Sequence, residues 1–218
     1  MILKAAEGLF ASRGYAETPI RDIARAAGVN SALIHYYFKN KDGLYRAILA
    51  NAGSTVHSFL VEAVEGAESA QQRIDRFVRA YASYILGHPN LARILFREMI
   101  TGGARLAELT TNYAQKNYSI LRQTLTEGVR NGELRKLDVD LAPLSLLGMV
   151  IVFQVARPVI SVVMNRTQYD ENFIDRLSEH TVELFLKGAA CPGASTKARK
   201  TAANRKHRGS RNRSRQQR

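Results

Sequence analysis

The chain has 218 residues, of which 45% are apolar, with one cysteine and a formal net charge of +13. That length holds one large domain or two small ones, and the lone Cys191 rules out an internal disulfide and any multi-cysteine metal site. The charge sits at the ends: residues 189–218 hold ten Lys or Arg and no acid, residues 1–50 hold seven basic and four acidic groups, and the neutral stretch between has no electrostatic preference for nucleic acid.

Few alternating β-branched runs and only five prolines predict an all-α chain. Met1-Ile2-Leu3-Lys4 leads directly into an amphipathic pattern, which is not the form of a secretory signal. Leu3, Ala6, Leu9 and Phe10 share one face of a first helix from about Ile2 to Arg13, and Gly14 stops it. Thr18-Pro19 reads as an N-cap followed by proline at the first helical position of a helix running to Ala27. A third helix spans Ser31 to Phe38, and Asn40-Lys41-Asp42 opens a long fourth through Leu44, Ile48, Val56 and Leu60 towards Glu65. Further helices are expected over 70–87, 91–100, 104–130, 141–163 and 170–188. His88-Pro89, Gly102-Gly103, Asn131-Gly132 and the polar run 165–168 separate them. The longest uncharged run, Leu141 to Ala156, is shorter than the ~20 apolar residues of a spanning helix, so no membrane partner is expected. After Cys191 the composition turns to Arg, Lys, Ser, Asn and Gln, which predicts a disordered basic tail.

The stretch IRDIARAAGVNSALIHYYF (20–38) is the most informative. Ala24 and Gly28 lie four apart on one face. A small residue at 24 admits a second helix closely, and Gly28 can take the left-handed conformation of a tight interhelical turn. Val29, Ile34 and Tyr37 are then expected to pack back onto Ile20, Ile23 and Ala27, with Phe38 also in the core. This is a helix-turn-helix. It leaves Asn30, Ser31, Ala32, His35 and Tyr36 outward on a short, polar surface free of acid, fit for a major groove about 12 Å wide. Lys39, Lys41 and the start of the fourth helix lie beside it and suit phosphates.

Residues 2–49, ILKAAEGLFASRGYAETPIRDIARAAGVNSALIHYYFKNKDGLYRAIL, resemble the N-terminal DNA-binding domain of the TetR/AcrR family of bacterial transcriptional regulators. The resemblance implies a helix-turn-helix from Pro19 to Phe38, with DNA-facing positions at Arg21, Asn30, Ser31, Ala32, His35, Tyr36 and Lys41. It also implies a three-helix DNA-binding domain over 1–49, joined to a helical effector-binding and dimerisation domain over 50–188, before the tail at 189–218. The implied partners are a palindromic double-stranded operator, a small-molecule effector and a second copy of the chain, in the cytoplasm, with no cofactor. Two departures stand out: the sequence begins inside the first helix, where members usually carry basic residues ahead of it, and His35 stands where tyrosine is common.

The middle of the chain has no strong motif. HPNLARILFREMITGGARLAEL (88–109) is similar to the start of some regulatory domains of the same family. The family pairs its last two helices across a two-fold axis, a role that suits the apolar helix 141–163, with Gly148 allowing close approach, and the stripe Phe173, Leu177, Val182, Leu184, Phe185. Gln154 and Arg157 are three apart on one face, and Pro158 kinks the helix there. Arg157 either meets an anionic or carbonyl-bearing effector in a pocket with Gln154, Tyr81, Tyr84, Met99 or Tyr113, or it pairs with a carboxylate such as Glu98 or reaches solvent. His57, His88 and His180 lie far apart, and no phosphate loop, metal-ligand spacing or nucleophile elbow appears, so neither a catalytic nor a metal site is expected. The rival to a regulator is a constitutive basic nucleic-acid-packaging protein, driven by the tail and without an effector.

Overall fold

The structure, a computed structural model, describes residues 1–101, 104–166 and 168–187, without the side chains of 99 and 104–112. The expected tail and the Gly102-Gly103 boundary thus lie outside the described residues. Among those described, every regular element is a helix: α1 Ile2–Arg13, α2 Ile20–Ala27, α3 Ser31–Phe38, α4 Lys41–Val64, α5 Ala70–Gly87, α6 Pro89–Ile100, α7 Ala104–Arg130, α8 Ala142–Val155, α9 Arg157–Val163 and α10 Glu171–Lys187. Packing places the described residues up to Val182 in one compact unit and Glu183–Lys187 in a second. In the second, Lys187 Nζ pairs with Glu183 Oε1 at 2.9 Å within the last turn of α10.

The N-terminal helices close over Ala6, Phe10, Ile23, Ala24, Ile34, Leu44, Tyr45 and Ile48, all buried. Burying a side chain of this kind contributes about 1.5–3 kcal/mol, enough for a few of them to order such short helices. Tyr84 of α5 and Leu91 and Ile94 of α6 belong to the same cluster, so these helices share a core with those behind them. α4 contains an 18-residue stretch with a mean hydropathy of 1.2, a composition that buried core helices share with membrane spans. It packs on α7, α5 and α1.

The turn between α2 and α3 follows from its residues. Gly28 sits at φ 65° and ψ 34°, the left-handed position that a side chain would strain. Its N–H reaches the Arg25 carbonyl at 3.2 Å, while the Val29 N–H reaches Ala24 at 3.0 Å, so the last carbonyls of α2 are satisfied. Asn30 caps α3, its Oδ1 accepting from the Ala32 N–H at 2.9 Å. Asn40 caps α4 in the same way through Gly43 N–H at 2.8 Å, and a Cβ on Gly43 would collide with the Phe38 carbonyl oxygen.

Two local expectations are corrected. Thr18 does not cap α2: its hydroxyl donates back to the Gly14 carbonyl at 2.7 Å, and Pro19 takes the cap position at φ −70° and ψ 148°. The nearer unpaired carbonyl, at the end of α1, captures the hydroxyl. The helix expected over 141–163 is two helices, bent by 76° at a break at Ala156. Pro158 has no N–H for the Gln154 carbonyl four residues back, and its ring would clash with that carbonyl.

Candidate DNA-reading surface and effector site

α3 has eight residues, just over two turns. Ile34 is fully buried and Phe38, one turn on, packs half-buried against the same core, so these two fix which side faces inward. Tyr36 stands opposite, 80% exposed, flanked by exposed Ala32 one turn earlier and by Leu33, 40% exposed. Tyr37 is 63% exposed and meets Tyr36 edge-on at 5.1 Å. The inward placement expected of Tyr37 therefore does not hold: the line from Ile34 to Phe38 leaves it to one side.

The other groups on α3 are partly committed. Ser31 is half-buried, and the exposed Asn30 is occupied as the cap. His35 Nδ1 donates to the Lys39 carbonyl at 3.0 Å, and the Lys39 N–H returns to the His35 carbonyl at 2.9 Å. A carbonyl only accepts, so Nδ1 carries the proton and a neutral ring leaves Nε2 as an acceptor towards solvent.

Basic groups frame this surface. Arg21 and Arg25 stand one turn apart on α2, each side chain 80% exposed. With Arg13 they share the single carboxylate of Asp22, at 4.0, 3.9 and 3.0 Å, so positive charge remains in excess. Lys41 is held more tightly than the sequence suggests. Its Nζ donates to the carbonyls of Tyr15 at 2.9 Å and Ala16 at 3.3 Å and lies 4.4 Å from the Tyr15 ring centre. An ammonium has three donors, so one is left for a phosphate.

The six effector candidates have separate surroundings. Tyr84 is buried, stacked on His88 at 4.3 Å, with its hydroxyl donating to the Ala52 carbonyl at 3.4 Å; burial, and next Glu7, raise its pKa. Tyr81 stacks on Phe77 at 6.2 Å, and desolvation pushes its hydroxyl up to about 12. The Tyr113 ring lies on the α4 backbone, where a Cβ on Gly53 would meet it at 2.7 Å. The Met99 side chain lies outside the described residues. Gln154 is 7% exposed, and among the described residues nothing bonds its buried Oε1. Gln154 lies in α8, while Arg157 opens α9 beyond the 76° bend.

Arg157 does not pair with Glu98, which accepts from the Tyr45 hydroxyl at 2.8 Å. It lies over the Tyr169 ring at 4.7 Å, Tyr169 stacks on Phe173 at 4.6 Å, and Arg166 covers Phe173 at 5.2 Å. The Tyr169 hydroxyl donates to the Phe153 carbonyl at 2.9 Å, so this stack ties the bend to the start of α10. An open groove of about 370 Å³ along α4, lined by Ser54, Thr55, Ser58, Phe59 and Glu62, touches none of the six.

Residues 2–48 match the model of "Bacterial regulatory proteins, tetR family", and residues 67–154 match that of the "Tetracyclin repressor-like, C-terminal domain", together more than half of the chain. The chain belongs to the TetR family. The fatty acid metabolism regulator protein of Bacillus subtilis (strain 168) is 27% identical to it over 188 residues, 86% of this chain and 93% of that protein. The crystal structure of the transcriptional regulator FadR from Bacillus subtilis, in complex with stearoyl-CoA, is similar with a TM-score of 0.72 and 26% identity, covering 87% of this chain and 98% of that one. The transcriptional repressor Rv3405c of Mycobacterium tuberculosis is 39% identical over 89 residues, 40% of this chain and 47% of that protein.

This TetR-family chain is a DNA-binding transcriptional regulator. The packaging protein weighed from the sequence has no counterpart in a match that spans both the helix-turn-helix and the domain behind it. On the regulator's α3, Leu33 and Tyr37 join the outward residues although neither is among the sequence candidates. The signal for them was the phase set by Ile34 and Phe38. Arg25, one turn from Arg21, was legible from spacing alone.

Proposed function

We propose that two copies of the chain place α3 in successive major grooves of a palindromic operator and let go when a long-chain acyl thioester of coenzyme A binds behind it. One observation carries the DNA half: Tyr36 and Tyr37 are 80% and 63% exposed on a helix anchored by the fully buried Ile34, beside the exposed Arg21 and Arg25. Ala32, Leu33, His35 and Tyr36 face the bases. Arg21, Arg25 and the remaining Lys41 N–H meet phosphates, while Asn30 and Ser31 set the helix. The reading divides the chain near residue 49, inside α4, into a DNA-binding domain and an effector and dimerisation domain. The basic 189–218 segment acts as a sequence-blind phosphate arm. The protein works in the cytoplasm and catalyses nothing.

The ligand class rests on the likeness to the Bacillus regulator solved with stearoyl-CoA, over almost the whole of both chains. The buried, unbonded Gln154 Oε1 suits an amide N–H of a pantetheine arm. The dimer is supported by the apolar residues left open on α8 and α9: Leu144, Met149, Val152, Val159, Val162 and Val163. A Cβ added at Gly148 would meet nothing, which leaves room for a second helix to approach. Phe173 and Leu177 are instead spent inside the subunit with Leu86.

The test is a titration of stearoyl-CoA, coenzyme A and free stearate against the protein bound to an operator selected from random DNA. Stearoyl-CoA should release the operator 5- to 150-fold, the range of about 1–3 kcal/mol of coupling, and coenzyme A alone should not. Selection of no sequence rejects the DNA half. An operator released by none of the three rejects the ligand class.

A further inference from the structure

We propose that Leu33 reads thymine, through apolar contact with its C5-methyl group, at one position in each half-site. The inference rests on the reading of α3 as the groove-facing helix. A lone exposed leucine means nothing by itself. Leu33 is not placed like one. It is 40% exposed next to Tyr36, the residue furthest from the core, and exposed Ala32 flanks Tyr36 on its other side. Ala32 and Tyr36, one turn apart, point away from Ile34 and Phe38, and Leu33 lies to one side of that line, between it and Tyr37.

The polar groups of α3 sit off that line. Asn30 is spent as the cap, Ser31 is half-buried, and His35 turns one ring nitrogen to the Lys39 carbonyl. A phosphate gains nothing from a leucine, and in a hydrated groove an apolar strip is a cost unless something apolar covers it. The major-groove edges of the four base pairs present one apolar group, the thymine methyl. A leucine there favours thymine over cytosine through contact with the methyl, and against cytosine it leaves the N4 donor without a partner.

The experiment uses the full chain and an operator selected from random DNA. Each thymine is replaced in turn by deoxyuridine, which removes only the methyl group. Wild-type protein should lose about fourfold in affinity at one position per half-site, the worth of one buried methyl-sized group. Leu33→Ala should bind the thymine and uracil versions of that position alike, while Leu33→Met, still apolar, should keep the preference. Uracil tolerated at every position, or a uracil penalty that Leu33→Ala retains in full, would overturn the assignment while leaving the operator reading intact. Failure to select any operator removes both, and that outcome is distinct because it appears before any thymine is replaced.

Discussion

At the scale of single residues, the surface chemistry of α3 separates base contact from support. Tyr36→Ala removes an 80% exposed ring whose ring contact among the described residues is with Tyr37, so folding should be unchanged while operator affinity falls by about 1–3 kcal/mol. Lys41→Ala should act differently, because its ammonium holds the α1–α2 loop through Tyr15 and Ala16. It should lower the unfolding free energy read from urea titration by about 0.5–1.5 kcal/mol for the lost bonds, and weaken binding to random and selected DNA by the same factor. Equal stability of Lys41→Ala and wild type would show that the brace carries no weight. Tyr81 gives a pH effect. Its folded pKa, raised to about 12, exceeds the usual value near 10, so between those limits the unfolded chain releases the proton first. Stability should be unaffected by this group below about pH 10 and decline towards pH 12, and Tyr81→Phe should flatten that decline in denaturant titrations.

At the scale of elements, some helices were legible and others were not, and the difference is physical. Gly28, Asn30 and Asn40 each answer a local demand, a left-handed turn or an unpaired N–H, and local demands are written in adjacent residues. The phase of α3 was harder: two turns carrying four consecutive aromatic or imidazole rings do not say which rings face inward, and Ile34 with Phe38 decided it. The surroundings of Arg157 depend on Tyr169, beyond a break and a loop, which no spacing rule could supply. The effector candidates were chosen by residue type and lie on α5, α6, α7, α8 and α9.

α6 binds the N-terminal helices by more than apolar contact. Arg97 donates to the Ser12 carbonyl at 3.3 Å and reaches that of Phe10 at 3.5 Å, and Glu98 accepts from Tyr45 of α4. Glu98 is only 6% exposed, so losing that donor should cost about 1–3 kcal/mol. Tyr45→Phe should show this loss in urea unfolding. If effector binding shifts α6, the same variant should also release the operator less completely at saturating ligand. A Tyr45→Phe protein as stable and as responsive as wild type would remove this contact from the coupling route.

At the scale of the whole molecule, the apolar residues on α8 and α9 predict assembly. Val162 is 81% exposed, so Val162→Glu should leave the subunit folded. Two buried carboxylates facing one another across a two-fold interface are strongly unfavourable, and the variant should sediment as a monomer at micromolar concentration. Its selected-operator affinity should then collapse towards that for random DNA, because one short α3 contacts too few base pairs for specificity. A dimer that survives Val162→Glu would place the interface elsewhere.

The unbroken run of α4 has a mechanical consequence. Its 24 residues make a rod about 36 Å long at 1.5 Å per residue. One end is locked to α3 by the Asn40 cap and by Gly43 against the Phe38 carbonyl, and the rod packs on α7 and α5. A stiff rod turns rotation into displacement in proportion to its length. A tilt of about 5° at one end moves the other by about 3 Å, close to one base-pair step along the duplex. In the proposed dimer the distance between the two α3 helices would therefore follow from this angle, and a ligand altering packing by a fraction of an ångström at the rod's far end would put the protein out of step with its operator without touching DNA.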